Sequence, residues 1–325
     1  MSSIARIVTV CLAVLISMTA AATAQGYPNR PIRLIVTFPP GGSTDTLARA
    51  MQPHLEKTLG QPIVVDNRPG AGGDIGVDAV AKAAPDGYTI GIGAAGALAV
   101  NINLKDKMPY DPQKDLAPIT LLTAIPFVMV AGPGFSGKSL ADVVKMAKSG
   151  SEKLSLGHGG NGTAMHLSSE LFNHLTGAKI PLVPYKGSGP ATQDVVAGHI
   201  PLAIVDVPSS QAMIKDGKIR VLGVTSVKRD SHLPDAPTFI ESGVKDYESI
   251  GWFGVIAPSG TPPEIIKKLN EAFVAAMNDP TVKERIYQGG AEARPTTPQE
   301  FGAFIKSETD KWGAIIKAAG VKLSN

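Results

Sequence analysis

Apolar residues along this chain come in short runs separated by stretches of helical spacing. Ile32 to Val36, Ile63 to Val65, Tyr88 to Ile92, Phe127 to Ala131, Lys153 to Leu156, Pro181 to Pro184 and Leu202 to Asp206 read as strands. Leu47, Met51, Leu55 and Leu59 recur every fourth residue and predict a helix. Further helices are predicted over Ile75 to Ala84, over Ser139 to Lys148, through Leu167, Leu171 and Leu175, and around Val195 and Val196. Strands alternating with helices predict an α/β fold of parallel sheets covered by helices. No internal repeat of fixed period and no low-complexity tract interrupts the pattern.

The junctions are more informative than the elements. Four times a strand runs into a glycine-rich loop that opens a helix: FPPGGSTD at 38–45, NRPGAGGDIG at 67–76, GHGGNGTAMH at 157–166 and YKGSGPAT at 185–192. In an open α/β sheet the carboxyl ends of the strands face one crevice, and helix N-termini there present unpaired N–H groups. Each terminus stabilises an exposed anion by roughly 0.3–1 kcal/mol, and by up to ~2 kcal/mol when partly buried. A tight turn alone accounts for any single loop of this kind. Four of them, shared between the two halves of the chain, point to a site for an anion.

The first residues change the picture of where this happens. Arg6 precedes an apolar run from Ile7 to about Ala22, and Ala22-Thr23-Ala24 follows, which is the layout of a secretory signal cleaved after Ala24. The run is short for a membrane span. Cys11 is the single cysteine and lies inside that run, so a mature chain would have no disulfide and would rely on its core. Hydrophobic content of 43% with no other long apolar run predicts a soluble globular protein. The formal charge of +3 falls to +2 once Arg6 is removed, and no basic cluster interleaved with aromatics suggests nucleic acid.

One motif competes with this reading. Gly132-x-x-x-x-Gly137-Lys138-Ser139 spells a phosphate-binding P-loop, with an apolar strand before it and a second apolar strand ending in Asp206. Pro133, however, lacks one of the amides that a phosphate cradle uses. Ser139-x-x-Asp142 also reads as an ordinary helix cap with an acid in the first turn.

The segments YPNRPIRLIVTFPPGGSTDTLAR, VDNRPGAGGDIGVDAVAKAAPDGYTI, HGGNGTAMHLSSELFNHLTG, VPYKGSGPATQDVVAGHI, VLGVTSVKRDSHLPDAPTFIESG and GWFGVIAPSGTPPEII resemble, in order, the Bug-type receptors of tripartite tricarboxylate transporters. The resemblance runs from Tyr27 to about Ile266. It implies a two-lobed periplasmic binding protein of type II, with two crossover strands between the lobes. Lobe one would comprise residues 25–123 and 251–325, and lobe two residues 124–250, with crossings near Ala124 to Pro126 and near Ser249 to Phe253. The resemblance further implies an extracytoplasmic receptor, not an enzyme, that holds a small carboxylate through backbone amides and ordered water. Membrane permease subunits would be its partners. A receptor that signals to a membrane sensor would use the same closure.

On this basis the expected ligand contacts in lobe one are Phe38, Gly41, Gly42, Ser43, Thr44, Asp45, Ala95 and Gly96. In lobe two they are Asn161, Gly162, Thr163, His166, Lys186, Gly187, Ser188, Gly189 and Asp206, with Gly72 and Gly73 as second choices. Asp45 fits a capping role better than contact with an anion. His158 and His166 have no metal-ligand spacing, and neither Ser43 nor Ser188 sits in a nucleophile elbow. No metal, no cofactor and a monomeric state are expected; candidate ligands span dicarboxylates, tricarboxylates, acidic amino acids and aromatic acids.

Overall fold

The computed structural model describes residues 26–150, 153–288 and 290–319. The export segment, its cleavage point and Cys11 lie outside them.

β1 (Ile32–Val36) runs into α1 (Ser43–Leu59), and β2 (Ile63–Asn67) leads through a tight turn into α2 (Asp74–Ala81). β3 (Thr89–Ala94) is followed by a short helical segment over Gly96–Val100 and Asn101–Leu104. β4 (Leu116–Ala131) is the long strand of the molecule and precedes α3 (Leu140–Ser149). Then come β5 (Leu156–His158), α4 (Ala164–Thr176), β6 (Leu182–Pro184), α5 (Ser188–Ala197), β7 (Leu202–Asp206), α6 (Val207–Lys215) and β8 (Arg220–Val224). β9 (Ile250–Pro258) returns to the first strands, and α7 (Pro263–Asn278), α8 (Pro280–Gln288) and α9 (Pro298–Ala319) complete the described chain.

The strands hydrogen-bond in the order β2-β1-β3-β9-β4-β7-β5-β6, with β8 on β4. β1 pairs in parallel with β2 and β3, and β5 with β6 and β7. The sheets are not wholly parallel, contrary to the alternation rule. β9 lies antiparallel to β3 and β4, and β4 lies antiparallel to β7 and β8. β4 is the reason: its first part pairs with β9, and Phe127 to Ala131 pair with β7 in the other group of strands. It was legible only as Phe127 to Ala131 because Pro118 and Pro126 break the pattern upstream. Pro118 is tolerated beside a register shift, where a missing donor costs little. The ladder of β5 begins at Leu156, where the sequence suggested an end; Leu154 is buried but unpaired in the sheet.

Both faces of β1 are covered, which explains its nearly continuous apolar run. Ile32, Leu34 and Val36 pack with Leu47, Met51 and Leu55 of α1 and Leu269 and Phe273 of α7. Ile35 faces the other way onto Val77 and Val80 of α2. Full burial of such side chains contributes about 1.5–3 kcal/mol each. The result is a rigid support for the loops at the carboxyl ends of the strands.

The P-loop spelling is occupied by the protein itself. Ser139 caps α3, its hydroxyl accepting from the Asp142 amide at 3.2 Å, while Asp142 accepts from the amides of Lys138 at 2.8 Å and Ser139 at 3.0 Å. The amide of Gly132 donates to Pro201 and that of Phe135 to Gly132. A carboxylate therefore stands where a phosphate would need those donors, and those bonds hold Asp142 below the usual carboxylate pKa.

Candidate functional site

The loops after β1, β3, β5, β6 and β7 converge on a cavity of about 190 Å³. Three helix N-termini open onto it.

α1 begins at Gly42, whose extended backbone (φ −76°, ψ 169°) supplies no side-chain cap. The amides of Ser43 and Thr44 therefore remain available at the cavity wall. Asp45 does not line the cavity. Its carboxylate accepts from the Gly41 amide at 2.9 Å, from Arg49 at 3.0 Å and from Asn67 at 3.0 Å. Burial raises its pKa, but the bonds from Arg49, Gly41 and Asn67 outweigh that and hold it ionised below the ordinary value. Asp45 thus fixes the loop and leaves the amides free.

α5 begins at Gly187, in a backbone conformation (φ 117°) open to glycine, and again has no side-chain cap. Ser188 and Gly189 offer amides; Pro190 offers none. α4 is partly capped by Thr163, whose hydroxyl accepts from the His166 amide at 3.2 Å, leaving Ala164 and Met165 at the wall. A fourth helix, α6, is closed to an incoming anion. Asp206 caps it, accepting from the Ser209 amide at 3.0 Å.

Between these polar ends the lining is apolar, supplied by Phe38, Pro39, Ala95, Phe127, Trp252 and Phe253. The combination of an apolar middle and a few convergent donors is that of a small-molecule site. Lys186 and Asp206 are the charged residues of the lining.

Contacts across the cavity draw its two sides together. The Ser43 hydroxyl donates to Asp206 at 2.7 Å and lies 2.8 Å from that of Ser209. On the other rim the glycines leave no room: a Cβ on Gly96 would meet the Gly162 carbonyl oxygen at 2.4 Å, and one on Gly72 would meet that of Asn161 at 2.6 Å.

Of the residues anticipated from sequence, Phe38, Gly41, Gly42, Ser43, Thr44, Ala95, Gly96, Thr163, Lys186, Gly187, Ser188, Gly189 and Asp206 line this cavity, as does Gly72. Asn161 and Gly73 line a neighbouring one. Gly162 belongs to the glycine rim. His166 is buried beside His158, their ring centroids 4.9 Å apart, with Nε2 3.6 Å from Glu170. Sequence reasoning missed Met165, Ser209 and the aromatic wall of Phe127, Trp252 and Phe253. The signal for Trp252 and Phe253 was present in the GWFG stretch, which read only as a crossing, while Phe127 read only as the start of a strand. Among the described residues, no group of three His, Cys, Asp or Glu is placed to hold a metal ion.

His158 supports the loop from below. Burial first, and then the neighbouring His166, push its pKa from 6.5 down to about 3, while Nδ1 accepts from the Gly160 amide at 3.2 Å. The folded protein thus keeps His158 neutral where the unfolded chain protonates it, between about 6.5 and 3. Its contribution is whole above 6.5 and is lost as pH falls through that window, by up to about 1.4 kcal/mol per pH unit. Urea midpoints at pH 7 and pH 5 are expected to differ less in His158→Gln than in the parent; equal shifts would contradict the assignment.

A two-sided α/β fold with a ligand cavity between strand ends defines the class of periplasmic binding proteins. Residues 47–321 match the family described as Tripartite tricarboxylate transporter family receptor, and the chain belongs to that family. It is 39% identical over 307 residues to Protein BugT of Bordetella pertussis, covering 94% of each chain. A solved R. palustris protein with adipate is 37% identical, with a TM-score of 0.87 over 91% of this chain and 99% of that one. MatC from Rhodopseudomonas palustris with bound malate is 33% identical, with a TM-score of 0.85 over 89% of this chain and 100% of the other. The receptors of this family are periplasmic solute-binding proteins. No helix among the described residues is long and apolar enough to cross a membrane.

Proposed function

We propose that this protein captures a small carboxylate between two lobes outside the cytoplasm and delivers it to the permease subunits of a tripartite tricarboxylate-type transporter. The observation that carries this reading is the convergence of three helix N-termini, with no arginine among them, on a largely apolar cavity. The amides of Ser43 and Thr44 on one side, and of Ala164, Met165, Ser188 and Gly189 on the other, hold the carboxylate. The hydroxyls of Ser43 and Ser188 are within the same wall. Phe38, Ala95 and Trp252 cover the carbon skeleton, and Asp45, Gly162 and His166 keep the loops in shape. Adipate and malate, carried by two of the similar proteins, support a carboxylate of this size.

Residues 25–123 and 251–325 form one lobe and residues 124–250 the other. The paired segments Ala124↔Trp252, Ile125↔Gly251 and Pro126↔Ile250 are the hinge of this reading. Closure is driven by contacts that the ligand makes with both lobes at once. Catalysis forms no part of this reading; the chain works as an exported monomer, cleaved after Ala24, without cofactor or metal.

A thermal-shift panel on the ligand-stripped mature protein tests it. A carboxylate at a hundred times its dissociation constant stabilises by about 2.7 kcal/mol, a plain rise in Tm. The expected result is a rise with at least one small carboxylate and none with ATP–magnesium. A rise with ATP–magnesium alone would overturn the reading.

A further inference from the structure

The Trp252 wall of the cavity is set by a helix that does not itself line it. Trp252 lies on β9 and is fully buried, and its ring neighbours come from α9. Phe301 and Phe304 meet the indole edge-on, with centroids 5.9 Å and 5.2 Å away, and Glu308 accepts from its Nε1 at 3.1 Å. Positions 301, 304 and 308 share one helical face, and 312 continues it. Trp312 donates to the same Glu308 oxygen at 3.2 Å, so one carboxylate holds both tryptophans of the chain. Glu308 is only 5% exposed, and Lys311 stands 3.4 Å from its other oxygen. An apolar side chain would close this helix face without the desolvation that a carboxylate suffers; the acid there serves the indoles. An indole has a single polar atom, a donor. In Trp252 that atom is committed to a group outside the lining, so the ring presents only carbon to the cavity.

We infer that Glu308 is a positioning residue of the ligand site: it holds the Trp252 indole so that the wall between the helix N-termini stays fixed and free of polar atoms. This rests on the carboxylate reading above and adds to it a residue that touches no ligand. Without its acceptor the buried indole N–H is left unpaired, and the ring satisfies it by turning or by drawing in water. Either change spoils the apolar middle of the cavity, from which water must leave when a carbon skeleton binds. Trp312 shares the acceptor but packs elsewhere, with Val100, Leu167 and Ile316. An effect that passes through Trp252 is therefore separable from one that passes through the packing of α9.

Calorimetric titration with succinate, citrate, glutamate and benzoate, together with any further carboxylate that raises Tm in the thermal panel, tests this. It is run on the mature protein, on Glu308→Gln, Glu308→Met and Trp252→Phe, and on the double variant carrying Trp252→Phe and Glu308→Met. Every acid that binds the parent protein is expected to bind Glu308→Met about tenfold more weakly and Glu308→Gln within about threefold, since the glutamine carbonyl oxygen still accepts from both indoles. In the Trp252→Phe background, Glu308→Met is expected to cost no more than about a further twofold. A tenfold loss that persists in that background places the effect in the packing of α9 and overturns the positioning role, as does unchanged binding in Glu308→Met. Should Glu308→Met not fold, the indole N–H resonances of the parent protein decide, with Trp312→Phe to assign them. Saturation with a bound acid is expected to move the Trp252 signal while its exchange with solvent stays slow. A Trp252 signal that the acid leaves in place, or that exchanges freely, overturns the role and leaves the helix-terminus site standing. Failure of every acid to bind the parent protein overturns the carboxylate reading itself, and this role with it.

Discussion

Gly42→Asp is expected to lose carboxylate binding by about 100-fold or more and to melt at the same temperature as the parent protein or slightly above it. The opposite signs follow from one geometry. Gly42 is the N-cap of α1, in the extended conformation that capping residues adopt, and it has no side chain with which to cap. Its φ of −76° suits any residue, and an added Cβ meets only the Pro39 carbonyl oxygen, at 3.3 Å. An aspartate there reaches the amides of the second and third helical residues, Thr44 and Asp45. Capping by Asp instead of Gly stabilises a helix by a few tenths of a kcal/mol. The new carboxylate also occupies the donors that the ligand needs and repels it. Calorimetry and a melting curve on one preparation read both effects. Binding close to that of the parent protein would remove α1 from the site.

Gly96→Ala is expected to weaken every ligand of the cleft, by about 100-fold, without unfolding the ligand-free protein. Gly96 has a negative φ, so alanine suits its own backbone. The obstacle lies across the cleft, where its Cβ would stand 2.4 Å from the Gly162 carbonyl oxygen and 3.0 Å from the Thr163 Cα. Backbone atoms held by a capped helix do not yield as a flexible side chain does. The two sides relieve the clash only by parting, which separates the α1 donors from those of α4 and α5. The variant therefore binds only as an open form does. Since the methyl bears on the Gly162 and Thr163 backbone, the loss is expected to be the same for long and short acids. A loss confined to one acid, or none, would show that closure is not part of binding.

Much of this site was legible because its chemistry is carried by local signals. A strand, a glycine loop and a helix start lie within about ten residues of one another, and each was readable without knowing what it would face. Asp45 was also readable as a residue of the loop, since an acid in the first turn of a helix has an ordinary structural use, and its bonds to Gly41, Arg49 and Asn67 bear that out. The capping box of Ser139 and Asp142 is another local signal read correctly.

What could not be read depends on residues far apart in the chain. β4 was underestimated because its first half is bonded to β9, more than a hundred residues away, and two prolines hide its period. The bond from Ser43 to Asp206 spans 163 residues and has no sequence signature. The three C-terminal helices were not assigned from the residues, although Pro263 at the start of α7 is a usable signal. Nor did the sequence distinguish residues that line the cavity from those that hold its rim: Gly162 and Gly96 look alike in their loops, yet the structure sets one against the other.

In the proposed function, helix N-termini on both sides of the cleft bind the carboxylate. Amide hydrogen exchange of the mature protein, with and without an acid found to raise its Tm, tests this most directly. The expected result is slowed exchange at Ser43 and Thr44 together with Ser188 and Gly189 when the acid is present. Tight binding that leaves the exchange at those amides unchanged would contradict it.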